Sequence, residues 1–421
     1  MTKFAHKSLA ELPSDKPASC TVEMIRVPQI TLHAFCETPD MITTIERAIA
    51  DRRFSRSDAR VHPGGIDAAI AMYRQVVSPN LVIIESRSAA AELHAQLGAL
   101  ADVCVPGTQV IVIGYVNDVT LYRELMIRGV SEYIVAPLEP IALIAVISRI
   151  HQTANASKLG RTLAFIGANG GVGSSTIARN VAGTIARSCR FDVILADLDM
   201  PFGSASLGFN LNPTQGMAQA LQDVNGFDEV LLKRLSTQCE EHLSVLTAPA
   251  TLEQSYDLAE SAFERVLNIA QSSSPFLVLD IPHVWTSWAR KTLLAADEIV
   301  ITAVPDLIGL RNAKNLVDLL KQVRPNDGPP KLVLNQIGVP KRSEISPDKF
   351  ANVLKTEPIA CIPFDPMTVS TAANSGRMIA DVSARSAVSK SLTKIAETIS
   401  GRASVKSRPK SRFAIRGLFG G

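Results

Sequence analysis

The chain lacks most of the features that would place it quickly. Formal net charge is only +3 over 421 residues, so no global attraction to nucleic acid is implied. No run of about 18 apolar residues occurs, and the first segment, "MTKFAHKSLAELPSDKPASC", has no continuous apolar core, which argues against a spanning helix and a signal peptide. The six cysteines (Cys20, Cys36, Cys104, Cys189, Cys239, Cys361) are dispersed, with no C-x-x-C pair and no ligand-like spacing to the seven histidines. That pattern argues for a reducing cytoplasm and against a structural metal.

What is present is the composition of a folded protein of two or three domains, with 46% hydrophobic and 20% charged residues. Residues 1–27 are polar and without periodicity and read as a leader. Over residues 28–152, short apolar runs ("ITLHAF", "NLVIIES", "QVIVIGY", "SEYIVAP") alternate with helical patterns, predicting a parallel sheet covered on both faces. The polar stretch 153–160 reads as a linker. Residues 161–400 hold seven further strand-like runs, from "TLAFIGA" through "VILADLD", "LSVLTAP", "FLVLDIP", "EIVITAV" and "KLVLNQIG" to "ACIPFD", predicting a second, larger doubly wound sheet. The fold class expected is therefore α/β, with two doubly wound parallel-sheet domains.

Between "TLAFIG" and the helical "STIARNVAGTIAR" lies a glycine-rich turn, the context in which a phosphate-binding loop is credible. Gly170, Gly171 and Gly173 permit backbone conformations that turn successive N–H groups inward around an oxyanion. The usual lysine before the Ser/Thr is missing, because that position is Ser174, while Ser175 remains to reach Mg²⁺ and Thr176 stands beside it. A glycine turn alone is also simply a tight connection. Three acids at strand ends weigh against that reading: Asp197 and Asp199 in "VILADLD", expected on one face, and Asp280 in "FLVLDIP". One of the first two acids would orient a water or hold the metal, and Asp280 suits support of Mg²⁺ hydration.

The runs "GGVGSSTIARNVA", "LADLD", "LVLDIP", "VLNQIG" and "IPFDP" resemble the MinD/ParA superfamily of deviant Walker A ATPases over about residues 161–400. With a receiver-like domain in front, the chain is most similar to the CpaE/TadZ proteins of Flp (tight adherence) pilus assembly. The resemblance implies ATP and Mg²⁺ as cofactors, with phosphates held by Gly170, Gly171, Val172, Gly173, Ser174, Ser175 and Thr176. It further implies Mg²⁺ at Ser175, Asp199 and Asp280, directly or through water, Asp199 for the catalytic water, and Asn335 for the adenine. The superfamily's signature lysine is here Asn169, so binding is expected to survive better than turnover. A homodimer, contact with pilus or secretion machinery including a secretion ATPase, and a cytoplasmic, possibly polar place at the inner membrane are likewise implied. A ParA-type DNA-partitioning role would need a basic surface, and a nucleotide-independent scaffold is the other alternative.

Residues 28–152 resemble a response-regulator receiver (flavodoxin-like) domain without its chemistry. The matching places hold Cys36 and Glu37, Glu85 or Ser86, and Ala136, so phosphorylation is not expected and a docking or dimerisation platform is. The tail 401–421 is basic and free of acids. In "SRFAIRGLFGG", Phe413, Ile415, Leu418 and Phe419 with Arg412 and Arg416 suggest a short amphipathic helix at a membrane surface, similar to the C-terminal targeting helix of MinD. A disordered basic tail is the alternative.

Overall fold

The computed structural model describes residues 27–28, 30–151, 159–223, 226–253, 256 and 259–402. The chain divides into two compact units near residue 154. Among the described residues, no helix is long and apolar enough to cross a membrane.

The first unit is a five-stranded parallel sheet in the order β2-β1-β3-β4-β5, formed by β1 (Thr31–Cys36), β2 (Asp58–Pro63), β3 (Leu81–Glu85), β4 (Gln109–Gly114) and β5 (Glu132–Val135). Its central strand reads "LVIIE" because both of its faces are covered. Leu81 and Ile83 pack under α1 (Pro39–Ile49) and α5 (Pro140–His151). Val82 and Ile84 pack under α2 (Gly65–Tyr73), α3 (Ala90–Val103) and α4 (Val119–Ile127). The edge strand β2 escaped the sequence reading. "DARVHP" is partly or fully exposed along its length and carries no apolar run, as an edge strand can.

The second unit is an eight-stranded sheet, β13-β12-β11-β6-β10-β7-β9-β8. Its strands are β6 (Arg161–Gly167), β7 (Val193–Asp197), β8 (Thr237–Glu240), β9 (Leu243–Leu246), β10 (Phe276–Ile281), β11 (Glu298–Ala303), β12 (Lys331–Ile337) and β13 (Pro358–Pro363). All seven apolar runs are strands. The eighth, β8 ("TQCE"), is a polar edge pairing antiparallel with β9, so the sheet is mixed rather than purely parallel. Alternation in β6 sends Leu163 and Phe165 toward α6 (Ser174–Thr184) and the helix Ala387–Ser400. It sends Ala164 and Ile166 toward the helices Glu260–Ser273, Ser287–Ala295 and Leu307–Val323. With Phe165 fully buried, burying a phenyl ring of this kind is worth roughly 1.5–3 kcal/mol and fixes the strand that leads into the loop.

β6 lies between β10 and β11, so chain segments leave it toward both edges of the sheet. A crevice forms beyond the carboxyl ends of strands at such a reversal. The ends of β6, β7 and β10 all reach it.

Candidate functional site: a lysine-free phosphate loop

The loop Ala168–Gly173 leaves β6 and enters α6. Ala168 N donates to the carbonyl of Thr302 on β11 at 2.7 Å, anchoring the loop at its start. Gly171 and Gly173 have φ of +76° and +89°, whereas Gly170 does not need the left-handed region, so two of the three glycines play the conformational part expected of them. At Gly173 a Cβ would also lie 2.6 Å from Nδ2 of Asn335. Gly173 caps α6 without a side-chain acceptor, which leaves the first-turn amides to an external anion.

Two residues of β12 pin this loop from the side. Asn335 Nδ2 donates to the carbonyl of Val172 at 2.8 Å, and Gln336 Nε2 to that of Gly171 at 3.2 Å. Asn335 therefore holds the loop's backbone, a contact its sequence position did not announce.

The acids are arranged differently from a simple row. Asp197 and Asp280 are register partners on the adjacent parallel strands β7 and β10, and by alternation they continue the face that packs on α6. β7 ends at Asp197. Asp199 lies beyond it in the connection that follows, which corrects the expectation that Asp197 and Asp199 project together from one strand face. Asp197 is buried and works on the backbone: its Oδ1 accepts Asp199 N at 3.1 Å and its Oδ2 accepts Ala205 N at 3.0 Å. Asp199 is half-buried, accepts Phe202 N on Oδ1 at 3.2 Å, and lines the cleft.

Burial pushes the carboxyls of Asp280 and Asp197 upward. At Asp280 the neighbouring Asp197 adds to the rise, while a hydrogen bond from Ser175 works against it. Arg179 of α6, buried at 6% exposure, supplies positive charge to both. Burial lowers its own pKa and the two acids raise it. Its guanidinium packs so closely on the chain at Gly208 that a Cβ there would come within 1.7 Å of Nη1. Sequence reasoning missed this residue. The signal was an arginine placed on the apolar stripe of "STIARNVA".

The cleft above the loop has a volume of about 800 Å³ and includes Asn169 through Thr176, Asp199, His283 and Trp288 in its walls. Among the described residues, no lysine or arginine lines it. Three buried polar atoms at or beneath it have no hydrogen-bond partner among the described residues: Asn169 Oδ1, Ser174 Oγ and Asp280 Oδ1. Buried polar groups are rarely left unmatched. Two oxygen acceptors and a hydroxyl beside a ring of backbone amides fit a hydrated divalent cation with phosphate oxygens. Ser175, bonded to Asp280, stands where a cation ligand belongs.

In the first unit Glu85, which, with Ser86, the sequence matches to a receiver's phosphoacceptor, is the last residue of β3 and fully buried. Its Oε2 accepts Glu37 N at 2.7 Å and Thr38 N at 2.9 Å, and its Oε1 accepts Thr38 Oγ1 at 2.7 Å and the Tyr115 hydroxyl at 2.5 Å. Burial alone pushes this carboxyl up, but the bonds from Tyr115 and Thr38 more than offset it and hold it below the usual range. The carboxylate is a clamp between loops. The proposed membrane residues Phe413, Ile415, Arg416, Leu418 and Phe419 lie outside the described residues.

Residues 160–332 match the model of the AAA domain family. The septum site-determining protein MinD of Bacillus subtilis is 24% identical over 190 residues, 42% of this chain and 66% of that protein, so the chain spans just under two thirds of its length. A ParA family ATPase from Chlorobium tepidum superposes with a TM-score of 0.52 at 24% identity, covering 57% of this chain and 98% of that one. The pilus assembly protein CpaE from Caulobacter crescentus is 46% identical over 29% of this chain and the whole of the solved CpaE structure, with a TM-score of 0.29. The second unit carries the P-loop fold of the MinD/ParA ATPases.

Proposed function

We propose that this chain is an Mg·ATP-binding, MinD/ParA-like switch protein that helps localise and assemble a pilus at the cytoplasmic face of the inner membrane, with weak or no hydrolysis. The observation that carries the nucleotide reading is the convergence of Asn169 Oδ1, Ser174 Oγ and Asp280 Oδ1, all buried and unmatched, on an uncapped helix N-terminus. The pilus reading draws its support from the 46% sequence identity that runs the length of the solved CpaE chain.

Within this reading the loop amides and α6 take the phosphates, Ser175 and Asp280 hold the metal, and Asp199, on the cleft wall, orients water. A bound Mg²⁺ would supply the positive charge that the loop's side chains lack. Asn335 stands beside the loop, where an adenine contact is proposed for it, and Asn169 takes the place of the lysine whose charge hydrolysis needs. Homodimerisation, a secretion ATPase as partner and a tail that binds lipid through Phe413, Ile415, Leu418 and Phe419 belong to the same proposal.

The deciding experiment is titration of the full chain with labelled ATP and ADP, with and without Mg²⁺. Tight, Mg²⁺-dependent preference for ATP supports the switch. No binding at about 1 mM ATP, equivalent to less than about 4 kcal/mol of affinity, would leave a nucleotide-independent scaffold as the reading.

A further inference from the structure

A second cavity, of about 480 Å³, opens between the helices Ser287–Ala295 and Leu307–Val323. It shares Gly167, His283 and Val284 with the cleft above the loop but is otherwise separately walled. Its size falls in the range of ordinary ligand pockets. Ile166, Leu316 and Leu319 supply apolar wall, and Trp285, 53% exposed, adds an indole at the rim.

The polar complement is one-sided. Among the described residues, Arg290 is the cation of the lining, no acid accompanies it there, and it forms no ion pair. Asn315 adds a carboxamide. An unpaired guanidinium beside an amide and an apolar wall suits a carboxylate on an apolar stem. The basic tail of this chain does not suit it, because Lys406, Arg408, Lys410, Arg412 and Arg416 carry the same sign of charge as Arg290.

The cavity wall is also bonded to the loop. Asn312 Nδ2 donates to the carbonyl of Ala168 at 3.0 Å, and His283 Nδ1 stands 3.1 Å from the carbonyl of Gly167. These are the last strand residue and the first loop residue before Asn169. Whatever seats in the cavity bears on residues that set the start of the loop.

We infer that this cavity is a docking site for an acidic, apolar-flanked peptide segment of a partner protein, held by Arg290 and Asn315 and coupled through Asn312 and His283 to the loop. Peptide binding stands independently of the nucleotide; the coupling rests on the nucleotide reading above. By linkage, a nucleotide that fixes the loop changes peptide affinity by the same factor that the peptide changes nucleotide affinity.

The two tryptophans of the sequence report the two cavities separately, Trp285 lining the second and Trp288 the cleft above the loop. The full chain labelled with 5-fluorotryptophan is titrated with a capped hexapeptide alternating leucine and glutamate, and with its lysine-for-glutamate counterpart, while both fluorine resonances are followed. The expected result is a saturable shift of Trp285 by the acidic peptide alone, weakened about tenfold in Arg290→Met, a surface substitution that removes the charge and keeps the stem. Equal response to both peptides, an unchanged affinity in Arg290→Met, or no shift up to about 1 mM peptide overturns the site. Saturating Mg·ATP is then added. A change of about fivefold or more in peptide affinity, reduced in Asn312→Ala, supports the coupling, and an unchanged affinity while Trp288 responds to ATP overturns it. A Trp288 resonance that ignores ATP counts against the nucleotide reading and leaves the peptide result standing.

Discussion

Asp197 and Asp280 stand side by side on β7 and β10, register partners buried beneath one cleft with Arg179 behind them. Burial raises both carboxyls, and repulsion from Asp197 adds to the rise at Asp280, which reaches about 8. A carboxyl raised by folding contributes stability that is full below the ordinary carboxylate range and is lost as pH climbs through the raised value. Without Mg²⁺ or nucleotide, the melting temperature is therefore expected to fall between pH 5 and pH 8.5, by several degrees at about 2–4 °C per kcal/mol. Asp280→Asn removes the ionisation and flattens that slope; Mg·ATP restores the wild-type melting temperature at high pH and does not restore that of the variant. A melting temperature that rises with pH over this window would contradict the burial of Asp280 as an uncompensated acid.

In the proposed reading, the missing cations limit hydrolysis. Asn169 and Ser174 both line the cleft, and among the described residues no lysine or arginine does. Replacing both by lysine is expected to raise single-turnover hydrolysis by at least about tenfold, since a cation on the transferring phosphoryl group is worth that or more. Unchanged turnover in a variant that binds ATP at least as tightly would place the deficiency elsewhere, with Asp199 the next residue to question.

How much of this was legible in the sequence depends on which force wrote it. Strands buried on both faces, such as "LVIIE" and "FLVLDI", announce themselves because every position must be apolar. β2 and β8 do not, because edge strands have no such requirement. The loop was readable from Gly171 and Gly173, where the backbone needs glycine. The side-chain bonds that hold it were not, since nothing in "VLNQIG" tells that Asn335 and Gln336 turn toward Val172 and Gly171. Asp197 and Asp199 looked equivalent two residues apart, and only the end of β7 separates a structural acid from one on the cleft wall. Arg179 was hidden in an apolar stripe where a charge has meaning only once its acidic neighbours on other strands are known.

Asn335 has two separable roles to test. Its bond to the Val172 carbonyl is a loop constraint, so Asn335→Ala is expected to cost about 1 kcal/mol and to weaken binding of ATP and ADP alike. If it also meets the base, the ratio of ATP to GTP affinity narrows as well. Gly173→Ala is destabilising on two counts, the left-handed φ and the contact with Asn335. Combining it with Asn335→Ala relieves only the second, so thermal melts of the pair are expected to be less than additive.

The carboxylate of Glu85, at the end of β3, is already committed to four donors from Glu37, Thr38 and Tyr115. Acetyl phosphate is therefore expected to leave no covalent phosphate on the first unit, which intact-mass measurement reads directly. Glu85→Ala strips the acceptors from two backbone amides and two hydroxyls at a partly buried site, and a loss of about 1–3 kcal/mol follows from leaving such donors unmatched. Because the folded carboxyl lies below the ordinary glutamate range, its contribution is complete above that range and disappears as pH falls through the lowered value. The wild-type first unit is expected to lose stability on the acid side and the variant to show a weaker acid dependence, in hydrogen exchange of the amides of Glu37 and Thr38. Equal protection of those amides in Glu85→Ala and wild type would show that the clamp contributes nothing, and would reopen this strand end as a place for chemistry.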